Sequence, residues 1–426
     1  MSPDLLSRRE HALGASYRLF YEEPFAPVRG EGVWLFDQNG TPFLDAYNNV
    51  ASVGHCHPAV VRAIAEQSAQ LNTHTRYLHP AIVDYAEDLL SEFPESLNNL
   101  TMTCTGSEAN DLALRIARCH SGGTGILVTR WAYHGVTSAL AEISPSLATG
   151  LPTANHVRLL DPPDSYRGNH FVASVKAALA DMRARGIQPA ALMVDSIFSS
   201  DGVFSPSNGE LAAAAQCVRE AGGLYIADEV QPGFGRTGAQ RWGFQHDAVI
   251  PDLVTLGKPM GNGHPVAGVV GRSALFDQFG RQQRYFNTYG GNPVSCKAAH
   301  AVLGVLRDEN LQANAHDVGG YLKRGLQALA ERFEVIGDVR GEGLFLGVEL
   351  VEDRTTQSPA TRIAAATVNG MRRRQVLISA TGPAANVLKI RPPLVFQRNH
   401  ADLLLERLEA TLSAVTERPS GLTGSV

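Results

Sequence analysis

Leu224-Tyr225-Ile226-Ala227-Asp228-Glu229-Val230-Gln231 is an apolar run that ends on two acids, and Leu256-Gly257-Lys258-Pro259-Met260-Gly261 sets a lysine in a glycine- and proline-rich turn after a second apolar run. A strand that is apolar throughout is buried on both faces, as in a parallel sheet covered by helices. A carboxylate at the end of such a strand needs a cationic or hydrogen-bonding partner, because burial alone disfavours its charge. A lysine among small residues can be approached closely by a ligand and loses basicity once desolvated. Together these two stretches predict an α/β chain with its reacting groups at the carboxyl ends of strands.

Working outward, Gly125–Thr129, Ala191–Asp195, Leu253–Leu256 and Val266–Val270 are further short apolar runs, separated by helical patterns such as Val172–Arg185 and Glu210–Ala221. That alternation predicts a mostly parallel sheet sandwiched by helices, with Asp195 and Asp228 both at strand ends. The two ends of the chain differ from this middle. Helical patterns over Ala313–Phe333 and Ala401–Val415 flank short strands at Leu344–Leu350 and Val387–Ile390. The expected division is 1–50 and 306–426 as the two parts of a smaller α+β domain, built around a large domain of 51–305.

The chain of 426 residues is 44% hydrophobic and 19% charged, which suits a folded protein of more than one domain. A formal net charge of −5 offers no basic footprint for nucleic acid or an anionic membrane surface. Five scattered cysteines without a Cys-x-x-Cys pair argue for free thiols. No stretch matches a signal peptide or a membrane span, so the expected location is cytoplasmic.

Lys258 carries an amine that can condense with an aldehyde, and Asp228 carries an acid that can keep a pyridine nitrogen protonated. Those are the two requirements of pyridoxal phosphate (PLP), whose ring takes up the electrons of a developing carbanion. Glu229 can as well be structural, and a strand-end acid can simply pair with Arg236. Thr105-Gly106-Ser107-Glu108-Ala109-Asn110 opens a helix whose first-turn N–H groups make an anion seat, with Ser107 as phosphate ligand or N-cap. Tyr133, in Trp131-Ala132-Tyr133-His134-Gly135, follows a strand and can lie on a ring or pack in the core. Gly233-Phe234-Gly235-Arg236-Thr237-Gly238 matches G-x-G-x-x-G but leads into no helix, so it reads as a plain loop. His55-Cys56-His57 lacks further ligand spacing, and no metal is expected.

With these motifs assembled, the chain resembles the class III PLP-dependent aminotransferases of fold type I over nearly its whole length. The resemblance is carried by Gly54-His55-Cys56-His57-Pro58, Thr105 to Ala109, Tyr133-His134-Gly135, Asp228 to Gln231, Gly257-Lys258 and Thr288-Tyr289-Gly290-Gly291-Asn292-Pro293. It implies that Lys258 holds the cofactor and moves protons, that Asp228 meets the ring nitrogen, and that Tyr133 and Val230 cover the ring faces. It further implies Gln231 near the ring hydroxyl, Gly106 and Ser107 at the phosphate, and Thr288 reaching that phosphate from the partner of a homodimer.

Longer segments, Asn48 to His55, Leu71 to His79, Gly257 to Pro265 and Phe286 to Cys296, resemble the alanine–glyoxylate-aminotransferase-2-like phospholyases. Against the aminotransferase pattern, Asp195-Ser196-Ile197-Phe198-Ser199 replaces Glu-Pro-Ile-Gln-Gly, Ser200 stands at the gating-acid position, and Lys389 at the clamp-arginine position. The activity so implied is elimination of phosphate from O-phosphoethanolamine, giving acetaldehyde, ammonia and inorganic phosphate. Arg76, Lys389 and Arg391 are the candidates for the substrate phosphate, each otherwise an ordinary solvated charge. The alternative is an ω-aminotransferase moving an amine to pyruvate or glyoxylate, with Arg391 forking a carboxylate.

Overall fold

The computed structural model describes residues 3–147, 150, 152–206 and 209–417. At its centre lies a seven-stranded sheet in the order Asn99–Thr103, Ala267–Gly271, Leu253–Leu256, Leu224–Asp228, Pro189–Asp195, Gly125–Thr129 and Val157–Leu160. The last five run parallel, and Ala267–Gly271 lies antiparallel to both of its neighbours. The mixed α/β, mostly parallel expectation holds, and the predicted apolar runs form strands within a residue or two of their expected bounds.

Leu224–Asp228 and Gly125–Thr129 are buried at every residue, which explains why their sequences carry no alternation. One face of the sheet is covered by the Gly106–Ser121 helix, whose Ala109, Leu112, Ala113 and Ile116 form a continuous apolar stripe. Phe171–Ala184 and Glu210–Glu220 contribute Val175, Met182, Leu211 and Val218 to a separate core cluster.

Two further sheets come from the chain ends. Pro27–Glu31, Trp34–Asp37 and Pro42–Asp45 form a meander, and Val376–Leu377 joins its edge in parallel with Leu44 and Asp45. Ile336–Glu342, Phe345–Asp353, Val387–Ile390 and Ser379–Thr381 make the other, with Ser358–Pro359 added to Phe345–Asp353. No helix among the described residues is long and apolar enough to cross a membrane.

Candidate active site

The carboxyl ends of Leu224–Asp228 and Pro189–Asp195 open into a cavity of about 100 Å³, lined by Gly106, Ser107, Tyr133, Asp228, Val230 and Lys258 among others. Cα pairing sets Asp195 opposite Asp228 on neighbouring strands, so two carboxyls face the same space.

Asp228 is almost wholly buried, yet every part of its carboxylate is claimed by a donor. Its Oδ2 accepts from Asn110 Nδ2 (2.9 Å) and meets His134 Nδ1 at 2.8 Å. Its Oδ1 accepts the Val230 N–H at 3.1 Å. Asn110 is itself fixed, donating also to the His134 carbonyl (2.7 Å) and accepting from Thr255 Oγ1 (2.6 Å). A carboxylate clamped in this way is fixed in orientation, which a protonated ring nitrogen needs from its partner. Asn110 and His134, which hold Asp228, are residues that the motif reading passed over. The available signal was a polar Asn110 beside Ala109 and Ala113 on an otherwise apolar helix face.

Lys258 makes no hydrogen bond or ion pair among the described residues. Burial lowers its pKa, the Arg391 charge lowers it further, and Asp228 and Asp195 oppose that shift. The result is an amine with more of its neutral, nucleophilic form at a given pH.

The first turn of the Gly106–Ser121 helix gives a different cap from the one expected. Thr105, not Ser107, is the N-cap: its Oγ1 accepts the Glu108 N–H (3.1 Å), while Glu108 Oε2 accepts those of Cys104 (2.7 Å) and Thr105 (3.1 Å). A residue inside the first turn cannot cap it, so Ser107 and the N–H groups of Gly106 and Ser107 remain for an anion at the cavity wall. The floor is tight. A Cβ on Gly106 would come within 3.1 Å of Val230, and one on Gly257 within 3.2 Å. Gly135, at φ +144°, could carry no side chain without meeting Ser107 Oγ at 2.6 Å. Tyr133 stands at the rim, 37% exposed.

Glu229 turns away from the cavity. It accepts from Ser196 Oγ (2.6 Å) and from the N–H groups of Gly243 (2.7 Å) and Phe244 (2.8 Å), while burial pushes its pKa up to about 7. Arg236 pairs with neither acid; it is fully enclosed and donates to the Leu344 and Pro392 carbonyls. His55 is bound to Asp45 (2.7 Å), and His57 caps the Pro58–Gln70 helix and meets Glu309 (2.9 Å).

Of the expected phosphate cations, Arg76 is exposed, its guanidinium 3.8 Å from the Phe286 ring centroid and outside the cavity lining. Thr288 is exposed and outside it too. Lys389 and Arg391 are instead buried, so the solvated-surface reading fails for both. Two apart along one extended segment, they share a face. The Phe345 ring lies 5.4 Å from Lys389 Nζ and 6.0 Å from the Arg391 guanidinium carbon. Lys389 makes no hydrogen bond or ion pair among the described residues. Arg391 is held by Gln231 Oε1 (2.5 Å) and Asn49 Oδ1 (3.2 Å), with no carboxylate bonded to it. Burial, then mutual repulsion, lowers the Lys389 pKa well below its usual value.

The residues present fit PLP: a desolvated lysine, a clamped acid, an open helix N-terminus and a floor of small residues, all on one cavity. Comparison with known proteins agrees. The family model described as Aminotransferase class-III matches residues 20–412. An alanine–glyoxylate aminotransferase 2-like protein of Drosophila melanogaster is 41% identical over 433 residues, covering 97% of this chain and 88% of its own. Ethanolamine-phosphate phospho-lyase homolog 1 of Caenorhabditis elegans is 38% identical, covering 97% and 93%. Among solved structures, a phospholyase from Arthrobacter in complex with phosphoethanolamine superposes with a TM-score of 0.94 at 47% identity, covering 96% of this chain and 100% of that one.

Proposed function

The chain belongs to the class III aminotransferase family and depends on PLP, and from that premise we propose that it is a phospholyase acting on O-phosphoethanolamine. The observation that carries this reading is the pair Lys389 and Arg391: a buried amine and a buried guanidinium, neither bonded to a carboxylate, beside the cavity that holds Lys258. Buried charge without an acid partner is costly, and a dianionic phosphate offsets it better than a single carboxylate does. The phospholyase names among the relatives support the same reading.

When bound, PLP supplies an electron sink for a carbanion at the amine-bearing carbon. Lys258, freed by the substrate amine, removes the proton from that carbon as a general base. Asp228, held by His134, Asn110 and the Val230 N–H, keeps the ring nitrogen protonated meanwhile. Gly106 and Ser107 would seat the cofactor phosphate, Tyr133 and Val230 would cover the ring faces, and Gln231, its amide already bonded to Arg391 and Ser199, would pack near the ring hydroxyl. Lys389 and Arg391 hold the substrate phosphate as its C–O bond breaks, with Arg76 a third candidate. Loss of phosphate leaves a two-carbon enamine, which one water hydrolyses to acetaldehyde and ammonia.

In this reading the enzyme is a cytoplasmic homodimer, and Thr288 completes the partner's cofactor-phosphate site. The exposed position of Thr288, between Phe286 (43% exposed) and Tyr289 (71% exposed), supports that sharing. The domain division is 1–50 with 306–426 around 51–305, supported by the parallel pairing of Val376–Leu377 with Leu44–Asp45. The Pro293–Asp308 helix runs across the second junction.

The deciding experiment supplies purified holoenzyme with O-phosphoethanolamine and no amino acceptor. Inorganic phosphate and acetaldehyde are expected in equal amounts over many turnovers, and Lys258→Ala is expected to release neither. Amine exchange between alanine and an oxo acid, with no phosphate released, would make the chain an aminotransferase instead.

A further inference from the structure

A buried run of hydrogen bonds joins Arg391 to Asp195, and chemistry dictates its direction. An arginine side chain has donors only, so Gln231 must turn its Oε1 toward Arg391 Nη1, at 2.5 Å. That leaves the Gln231 Nε2 to donate to Ser199 Oγ, also at 2.5 Å. The hydroxyl has a single hydrogen, and it goes to Asp195 Oδ2. Asp195 takes two more donors, the Ser199 N–H on Oδ2 (3.1 Å) and the Ile197 N–H on Oδ1 (3.0 Å). Each link thus requires the next, and the run ends on a carboxylate that lines the cavity beside Asp228 and Lys258.

We propose that Ser199 and Gln231 are positioning residues that carry the state of the Arg391 anion subsite to the Asp195–Asp228 carboxyl pair at the cofactor. This rests on the reading of Arg391 as part of the substrate-phosphate subsite. An anion that draws the guanidinium toward itself weakens its bond to Gln231. The amide then polarises Ser199 less, and Asp195 loses part of the donation that keeps it ionised. Asp195 is well placed to respond, because burial and the neighbouring Asp228 charge already raise its pKa. The charged groups around it are Asp228 on the adjacent strand, Glu229 just after it, Asp201 on the following loop, Lys258 in its turn, Lys389 on Val387–Ile390 and Arg391 just past that strand.

The test titrates the visible absorbance of the holoenzyme against pH, with and without inorganic phosphate as the probe of the subsite. Phosphate is expected to shift the midpoint in the wild type. Ser199→Ala removes the acceptor of the middle link, and Gln231→Met removes its donor without placing a carboxylate beside Arg391. Both variants are expected to bind phosphate, measured by equilibrium dialysis, and to lose at least half of the shift. A shift as large as the wild type's in either folded variant overturns the relay, as does wild-type binding without a shift. If the wild type binds no phosphate, the Arg391 subsite itself is wrong and the relay falls with it.

Discussion

Lys258 owes its depressed pKa to where it is buried and to which charges look at it. Desolvation alone would lower its pKa, and Arg391 adds to that while Asp228 and Asp195 pull the other way. The sign is clear: an amine with a depressed pKa gains its neutral form at lower pH than a free lysine does, whose pKa is about 10.4. The rate at which apoenzyme takes up PLP, followed by visible absorbance, should therefore rise and level off below that pH. Arg391→Met, which removes one depressing charge, should move the rise toward alkaline pH. An unmoved rise would show that burial acts alone. His134, Asn110 and Asp195 belong to the same scale. They sit in quoted motifs, but their work on Asp228 and on one another is a matter of Å-level contact that no spacing expresses.

At the scale of elements, the Gly106–Ser121 helix has two tasks at one end, and the structure divides them. Thr105 and Glu108 close the capping box, which leaves Ser107 and the first N–H groups for a phosphate. Thr105→Ala should cost about 1 kcal/mol of stability, the usual cost of losing a cap hydroxyl, read as a lower denaturant midpoint. PLP affinity should fall severalfold with it, because the first turn proposed to seat the phosphate frays. Fully apolar strands were legible because burial on both faces leaves no other composition. Asn99–Thr103 was not, since Asn-Leu-Thr-Met-Thr is only part-buried along most of its length and lies at the edge of the sheet. Val157–Leu160, the other edge, is shorter still and likewise mixed.

For the whole molecule, the proposed sharing of Thr288 makes assembly a condition of cofactor binding. The chain should sediment at twice 45.7 kDa. Thr288→Ala should raise the PLP dissociation constant severalfold. Mixing that variant with Lys258→Ala chains should restore wild-type affinity in part of the sites, since a hybrid pairs Lys258 of one subunit with Thr288 of the other. Recovery no better than either parent would argue that each subunit completes its own site.

The sequence by itself determined the class of the fold and the two residues around which the site is built. Apolar strands ending on Asp195 and Asp228, and a lysine among small residues, leave few other architectures. Burial and direction were decided only in three dimensions. Lys389 and Arg391 are far from Lys258 in the chain, and their desolvation depends on Phe345 and on strands drawn from both chain ends. Gln231 gained its orientation the same way, from Arg391 on one side and Ser199 on the other. Local pattern specifies which face of an element is apolar; which charge is left without a partner depends on what the rest of the chain packs against it.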